Sequence, residues 1–316
     1  MSGTKADHNS RRAKTPRLAR SGVSVLNGFV GDFLCRRNNP LAIEMCFVSD
    51  GIPISMTPKD LCALHPLPHR KLSISVHGLC CSERSWDIHD AQRATGHDTY
   101  GSLLQSDFGY ADFYLRYNSG VSIAQNGRRL AGLLQQLVET YGPGAMTQID
   151  EIVLLGHSMG GLVIRSACEQ GLAQRQSWVV LVSRIFYLGT PHNGADLEKL
   201  VSMGERALAT LPSAVAGMLG QIMNVRSGGI KDLRDGLLPD TWLASAQHYM
   251  IAGTLSENPT GSSAHAIGDA LVRVPNATAE GLLPNAHRRV FAGIHHLRLA
   301  HDRSVYQQIR TWCRDD

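Results

Sequence analysis

The stretch EIVLLGHSMGGLVIRSA, residues 151 to 167, constrains this chain more than any other. A β-branched and leucine run, Ile152 to Leu155, passes through Gly156-His157-Ser158-Met159-Gly160 straight into a helical pattern, with no linker between them. A strand that feeds a helix at once belongs to a sheet whose neighbouring strands are parallel, since parallel pairing needs a crossover. The G-x-S-x-G spacing is weak by itself in a chain with 31 glycines. Its meaning comes from the strand before it and the helix after it, which force Ser158 onto a sharp turn above the sheet edge.

The rest of the chain repeats that rhythm. Short β-rich runs occur at Leu72 to Val76, Phe113 to Tyr117, Ile152 to Leu155, Val179 to Leu188, His248 to Ile251 and Arg289 to Phe291. Between them, Leu130, Leu133, Leu134, Leu137 and Val138 recur on one face of a helix over about residues 124 to 141, which Gly142-Pro143-Gly144 stops. A further helix follows Ser158, and a last one covers about Ser304 to Trp312, with Val305, Ile309 and Trp312 toward the sheet. The pattern predicts an α/β fold with a mostly parallel central sheet flanked by helices, spanning residues 23 to 316 as one domain. Residues 195 to 246 interrupt it with a helical insertion, read as a cap or lid. Its Val215, Met218, Leu219, Ile222 and Met223 suit either an acyl-binding lining or ordinary helix packing.

Composition narrows the class. Hydrophobic residues are 43% and charged residues 18% of 316, enough apolar surface for a large core. No apolar run reaches the roughly 20 residues of a transmembrane helix. The formal charge of +4 is concentrated in the first twenty residues, where Lys5, Arg11, Arg12, Lys14, Arg17 and Arg20 face only Asp7. Residues 1 to 22 therefore read as a basic, disordered tail, and the near-neutral remainder gives no reason to expect nucleic acid as a partner. Arg11-Arg12 lacks the clean apolar run of an export signal. Seven cysteines without CxxC or zinc spacing point to a reducing, cytoplasmic setting, with peripheral contact to a lipid surface as a further expectation. No metal or organic cofactor is expected, and the sequence sets no oligomeric state.

Ser158 is the candidate nucleophile. A tetrahedral intermediate needs backbone donors for its oxyanion. One is the N–H after the serine, Met159; the second belongs to a loop after an earlier strand, here His77-Gly78-Leu79, which makes Leu79 the candidate. His77 itself suits a structural hydrogen bond within that loop, and Trp86 suits either a pocket wall or packing. The order serine, acid, histidine places the base in the loop after the last strand, where His295 and His296 both qualify. His301 fits helix capping instead. The candidate acid is Asp269 in the turn GDALV, with Glu280 and Asp302 as rivals. The chemistry implied is acyl transfer from an ester or lipid-like substrate to water. The same triad also serves acyl transfer to an alcohol, and a non-catalytic scaffold is the third reading.

HGL at 77 to 79, LRYNSG at 115 to 120, LLGHSMGGLV at 154 to 163 and LGTPHNGA at 188 to 195 together resemble lipases of the α/β-hydrolase superfamily, above all the GPI-inositol-deacylase-like lipases. The likeness spans about residues 25 to 314. It implies Ser158 as nucleophile, Asp269 as acid and, as the histidine directly before Leu297, His296 as base. Because TPHNG flanks the lid in those lipases, it also implies a cap beginning at Ala195.

Overall fold

The computed structural model describes residues 17–64, 70–88, 98–141, 148–194, 227–235, 241–258 and 268–314. In chain order these form α1 (Arg17–Arg36), β1 (Cys46–Ser49), β2 (Ile52–Pro53), α2 (Pro58–Leu64), β3 (Lys71–Val76), α3 (Tyr100–Phe108), β4 (Tyr110–Arg116), α4 (Ile123–Tyr141), β5 (Glu151–His157) and α5 (Met159–Ala173). β6 (Val182–Leu188), α6 (Gly228–Asp235), β7 (Gln247–Thr254), α7 (Val274–Ala277), β8 (His287–Ala292) and α8 (Arg303–Arg314) complete them. The eight strands make one sheet in the order β2-β1-β4-β3-β5-β6-β7-β8. β1 is antiparallel to β2 and β4, and every other pair is parallel. The α/β fold expected from the alternation is the fold observed.

β5 shows why the sheet is covered on both faces. Successive side chains of a strand point to opposite faces, and here Ile152 and Leu154 enter a core shared with α1, α4 and α5, while Val153 and Leu155 enter one shared with α3 and α8. All four are fully buried, which is why the run reads as continuously apolar rather than alternating. Val305 and Ile309 of α8 are buried in the second layer, and the Trp312 ring packs on Phe186 and Tyr249.

The strand order fixes where a site forms. From β3 the chain steps outward to β4, then crosses back to β5 on the other side, so the connections diverge between β3 and β5. Such a divergence leaves a crevice beyond the carboxyl ends of the strands, and the segments HGL and GHSMG flank it.

Three sequence expectations need correction. The strand anticipated from Val179 begins at Val182, because Ser177–Leu181 is a 3₁₀ turn that buries Trp178 and leaves Val180 77% exposed. β1 and β2 were not anticipated; they are short strands that finish one side of the sheet, with β2 at its edge. Helix α1 starts at Arg17, inside the segment read as a disordered tail, and continues to Arg36 with a kink at Val30. Val25, Phe29, Val30 and Leu34 give it a buried stripe. Residues 1 to 16 lie outside the described residues. So does most of the inserted segment 195 to 246, including Val215, Met218, Leu219, Ile222 and Met223; only α6 and the approach to β7 are described. α6 docks where Asp232 Oδ2 accepts the Ile123 N–H at 2.6 Å and Gly229 N–H donates to Gly120 at 3.0 Å. No described helix is long and apolar enough to cross a membrane.

Candidate active site

Ser158 sits between β5 and α5 with φ 53° and ψ −126°. That region disfavours L side chains, at a cost on the order of 1–3 kcal/mol, and persists only where the surroundings impose it. Here they do. A Cβ on Gly160 would collide with the carbonyl oxygens of Val76 and His77, and one on Gly156 with the Gly161 backbone. The turn is therefore packed backbone on backbone, and its serine is partly exposed while His157 and Met159 are buried. Ser158 N–H donates to Leu188 C=O at 2.8 Å, tying the turn to β6. Helix α5 begins directly after Ser158, so the positive end of its dipole lies beside that residue.

The loop after β3 crosses this turn closely. The Cβ that any other residue would carry at Gly78 lies 3.0 Å from Ser158 Cβ. Leu79 follows at once and is buried. Among the described residues the backbone N–H groups of Leu79 and Met159 have no hydrogen-bond acceptor. His77 is buried, with Nδ1 2.9 Å from Gly78 O; burial pushes its pKa down to about 4. It is the loop brace expected of it. Trp86 packs on Tyr100 inside the second core layer, so it belongs to the core.

His296 and Asp269 meet. His296 Nδ1 lies 2.7 Å from Asp269 Oδ2, and the two residues are 3% and 0% exposed. Asp269 Oδ1 accepts the N–H groups of Leu271 at 3.0 Å and Val272 at 2.8 Å, and Asp269 C=O accepts His296 N–H at 3.0 Å. Burial alone would raise the Asp269 pKa. The His296 ring and the backbone donors outweigh it and hold the carboxyl below its ordinary value. Burial separates the two candidate bases: His295 is exposed and precedes the 3₁₀ turn His296–Ala300, whereas His296 turns inward. Of the rival acids, Glu280 is exposed. Asp302 caps α8, accepting Ser304 N–H at 2.8 Å, and pairs with Arg298 at 2.6 Å. The cap expected of His301 is supplied by Asp302, and His301 Nδ1 lies 3.2 Å from Ser85 O instead.

The sequence reading passed over His157. Its Nε2 is 3.0 Å from His296 C=O and the two rings stand 4.9 Å apart. The residue before Ser158 thus touches the residue paired with Asp269. Burial, then the neighbouring His296, lowers the His157 pKa to about 3, so the ring is neutral. The only signal in the sequence was its place inside G-x-S-x-G. The segment LGTPHNG, residues 188 to 194, packs against the site from the other side. A Cβ on Gly189 would lie 3.0 Å from His296 Cε1, Thr190 packs on Gly161, and Asn193 N–H donates to Asn276 Oδ1 at 2.7 Å. Behind it, the Arg165 guanidinium lies 3.9 Å over the Trp242 ring and 3.4 Å from His192 Nδ1. No group of three His, Cys, Asp or Glu side chains among the described residues converges as a metal ion requires.

The elbow with its strand β5, and the loop after β3 with most of that strand, fall within the span of one family model, PGAP1-like alpha/beta domain, which matches residues 73–247. The chain belongs to that family. This PGAP1-like chain is similar in fold to the mature form of the lipase BlEst2 of Bacillus licheniformis, at 19% identity over 78% of this chain and 94% of that one, with a TM-score of 0.50. The propeptide form of the same lipase aligns at 20% identity over 78% of this chain and 51% of that one, with a TM-score of 0.52. Both likenesses establish the α/β-hydrolase fold. No curated protein matches the PGAP1-like chain closely enough to count as a relative.

Proposed function

We propose that this chain is a serine hydrolase of carboxylic esters, of the lipase or esterase kind, with Ser158, His296 and Asp269 as its triad and the N–H groups of Leu79 and Met159 as its oxyanion hole. The observation that carries the reading is the buried His296–Asp269 contact of 2.7 Å, with His296 touching His157, the residue before the serine on its strained turn. Family membership and the lipase-like fold support it.

Ser158 Oγ attacks the ester carbonyl carbon and its proton passes to His296 Nε2. Asp269 fixes the Nδ1–H tautomer and stabilises the imidazolium. The two N–H groups take the oxyanion, each worth roughly 3–4 kcal/mol. Collapse expels the alcohol with the His296 proton, leaving an acyl-enzyme, and water activated by His296 releases the acid. Residues 195 to 246 are proposed as a cap over the acyl site.

Ser158→Ala is expected to abolish hydrolysis of short-acyl nitrophenyl esters, and an unchanged rate overturns the assignment. A series of acyl lengths with and without a lipid interface then separates a lid-gated lipase, whose rate jumps at the interface, from an esterase, whose rate does not.

A further inference from the structure

The segment Arg116-Tyr117-Asn118-Ser119-Gly120 has no place in the triad, yet it grips the loop after β3 on both sides of Leu79. β3 and β4 are parallel neighbours with Val76 beside Leu115, so the loops leaving them run together over the sheet edge. Tyr117 Oη donates to His77 C=O at 2.8 Å, and the Tyr117 and His77 rings stack with centroids 4.4 Å apart. On the far side, Cys80 N–H donates to Ser119 Oγ at 3.1 Å. Tyr117 and Ser119 are each buried. Cys80 has φ 59°, a left-handed conformation that a residue with a Cβ keeps only when it is held there. That turn is what redirects the chain just beyond Leu79.

Between these two grips the Gly78–Leu79 peptide is fixed by its own oxygen. Gly78 C=O lies 2.9 Å from His77 Nδ1 and accepts Cys81 N–H at 3.3 Å. A trans peptide is planar, with C=O and N–H pointing opposite ways, so anchoring the oxygen sets the direction of Leu79 N–H. The gripping segment is itself anchored. Asn126 Nδ2 donates to the carbonyls of Asn118 and Val121, both at 3.0 Å, and Asn118 Nδ2 donates to Gly31 C=O at 2.9 Å.

We propose that Tyr117 and Ser119 are positioning residues that aim the Leu79 N–H at the oxyanion of the tetrahedral intermediate. This rests on the hydrolase reading above. The ground-state carbonyl occupies a different point from the oxyanion, so a misaimed donor costs transition-state binding far more than substrate binding.

The test compares wild type with Tyr117→Phe, which keeps the ring stack, Ser119→Ala, the double variant and Ser119→Thr, which keeps the hydroxyl. Circular dichroism establishes that each is folded. Turnover of a short-acyl nitrophenyl ester and inhibition by an alkyl boronic acid, a tetrahedral analogue, are measured on each. Each single loss of hydroxyl is expected to lower kcat roughly 10-fold, less than the roughly 100- to 1000-fold of deleting an oxyanion donor outright. KM stays within about twofold, the boronate Ki weakens in proportion to the fall in kcat, and Ser119→Thr regains wild-type kcat. A rise in KM with kcat unchanged, a fall in kcat without weaker boronate binding, or unchanged kcat and Ki in the folded double variant overturns the proposal. So does a folded Ser119→Thr no better than Ser119→Ala. Wild-type protein that neither turns over esters nor binds the boronate overturns the hydrolase reading itself, and the brace with it.

Discussion

The two halves of the site are held by different physics. On the nucleophile side, a Cβ on Gly156 or Gly160 would run into backbone atoms and one on Gly78 would crowd Ser158, so close packing, together with the Ser158 N–H bond to Leu188, holds Ser158 at a positive φ. On the base side, His296 and Asp269 come from loops 27 residues apart and are joined by a buried charge-assisted hydrogen bond and backbone donors. Steric locking depends on neither pH nor salt. A buried carboxylate–imidazole hydrogen bond depends on keeping its carboxylate charged. The nucleophile half is therefore expected to break under added volume and the base half under altered charge.

The largest effect after loss of Ser158 belongs to the base half. Asp269→Asn keeps the shape but reverses the hydrogen bond to His296 Nδ1, favouring the wrong tautomer, and kcat is expected to fall on the order of 10⁴-fold with the fold intact. Steady-state kinetics beside a circular dichroism spectrum checks it; a loss under about 10-fold removes Asp269 from the triad. The matching change in the steric half is Gly160→Ala. Its Cβ meets two carbonyl oxygens that cannot swing aside, so stability should drop by about 3 kcal/mol, read by urea denaturation.

Acid reaches both halves, at different pH, because the nucleophile half also carries two buried histidines. His157 has a folded pKa lowered to about 3 and His77 one lowered to about 4, so the unfolded chain binds protons that the folded chain refuses. Their contribution is fully present above about pH 6.5 and is lost as pH falls from there toward those values. Asp269, also lowered, acts in the same direction but only below the ordinary carboxylate range. Between pH 6.5 and 5 each of the two histidines should cost roughly 1–2 kcal/mol of stability, and His157→Gln should flatten that slope. An equal slope in the variant excludes His157 as its source. The smallest effect lies away from both halves. Asp302→Ala removes the cap of α8 and should cost about 1 kcal/mol, with kcat unchanged, since its carboxylate binds Ser304 and Arg298 rather than His296.

The same contrast decides how much of the molecule was legible in the sequence. The steric half is local: Ser158, its glycines and the strand–turn–helix context are contiguous, and the loop proposed to supply the second donor follows directly from a neighbouring strand. The base half needs two distant loops to meet. Periodicity could not choose His296 over His295, because the choice depends on which residue opens the 3₁₀ turn and gives its N–H to Asp269 C=O. His157 escaped for the same reason, since its partner lies 139 residues away. Helix α1 was masked by its basic composition, although Val25, Phe29 and Leu34 carried its stripe. Val179–Leu181 was β-rich in composition and still became a turn, because burying Trp178 there mattered more than strand propensity.

The proposed triad stands or falls with Ser158 as a nucleophile that His296 activates. Labelling of the wild-type chain with a fluorophosphonate, followed by peptide mass spectrometry, tests it most directly. One adduct on Ser158, slowed severely in His296→Ala and unaffected in His295→Ala, is the expected result. An adduct on another residue, or labelling of Ser158 that depends on His295 rather than His296, contradicts it.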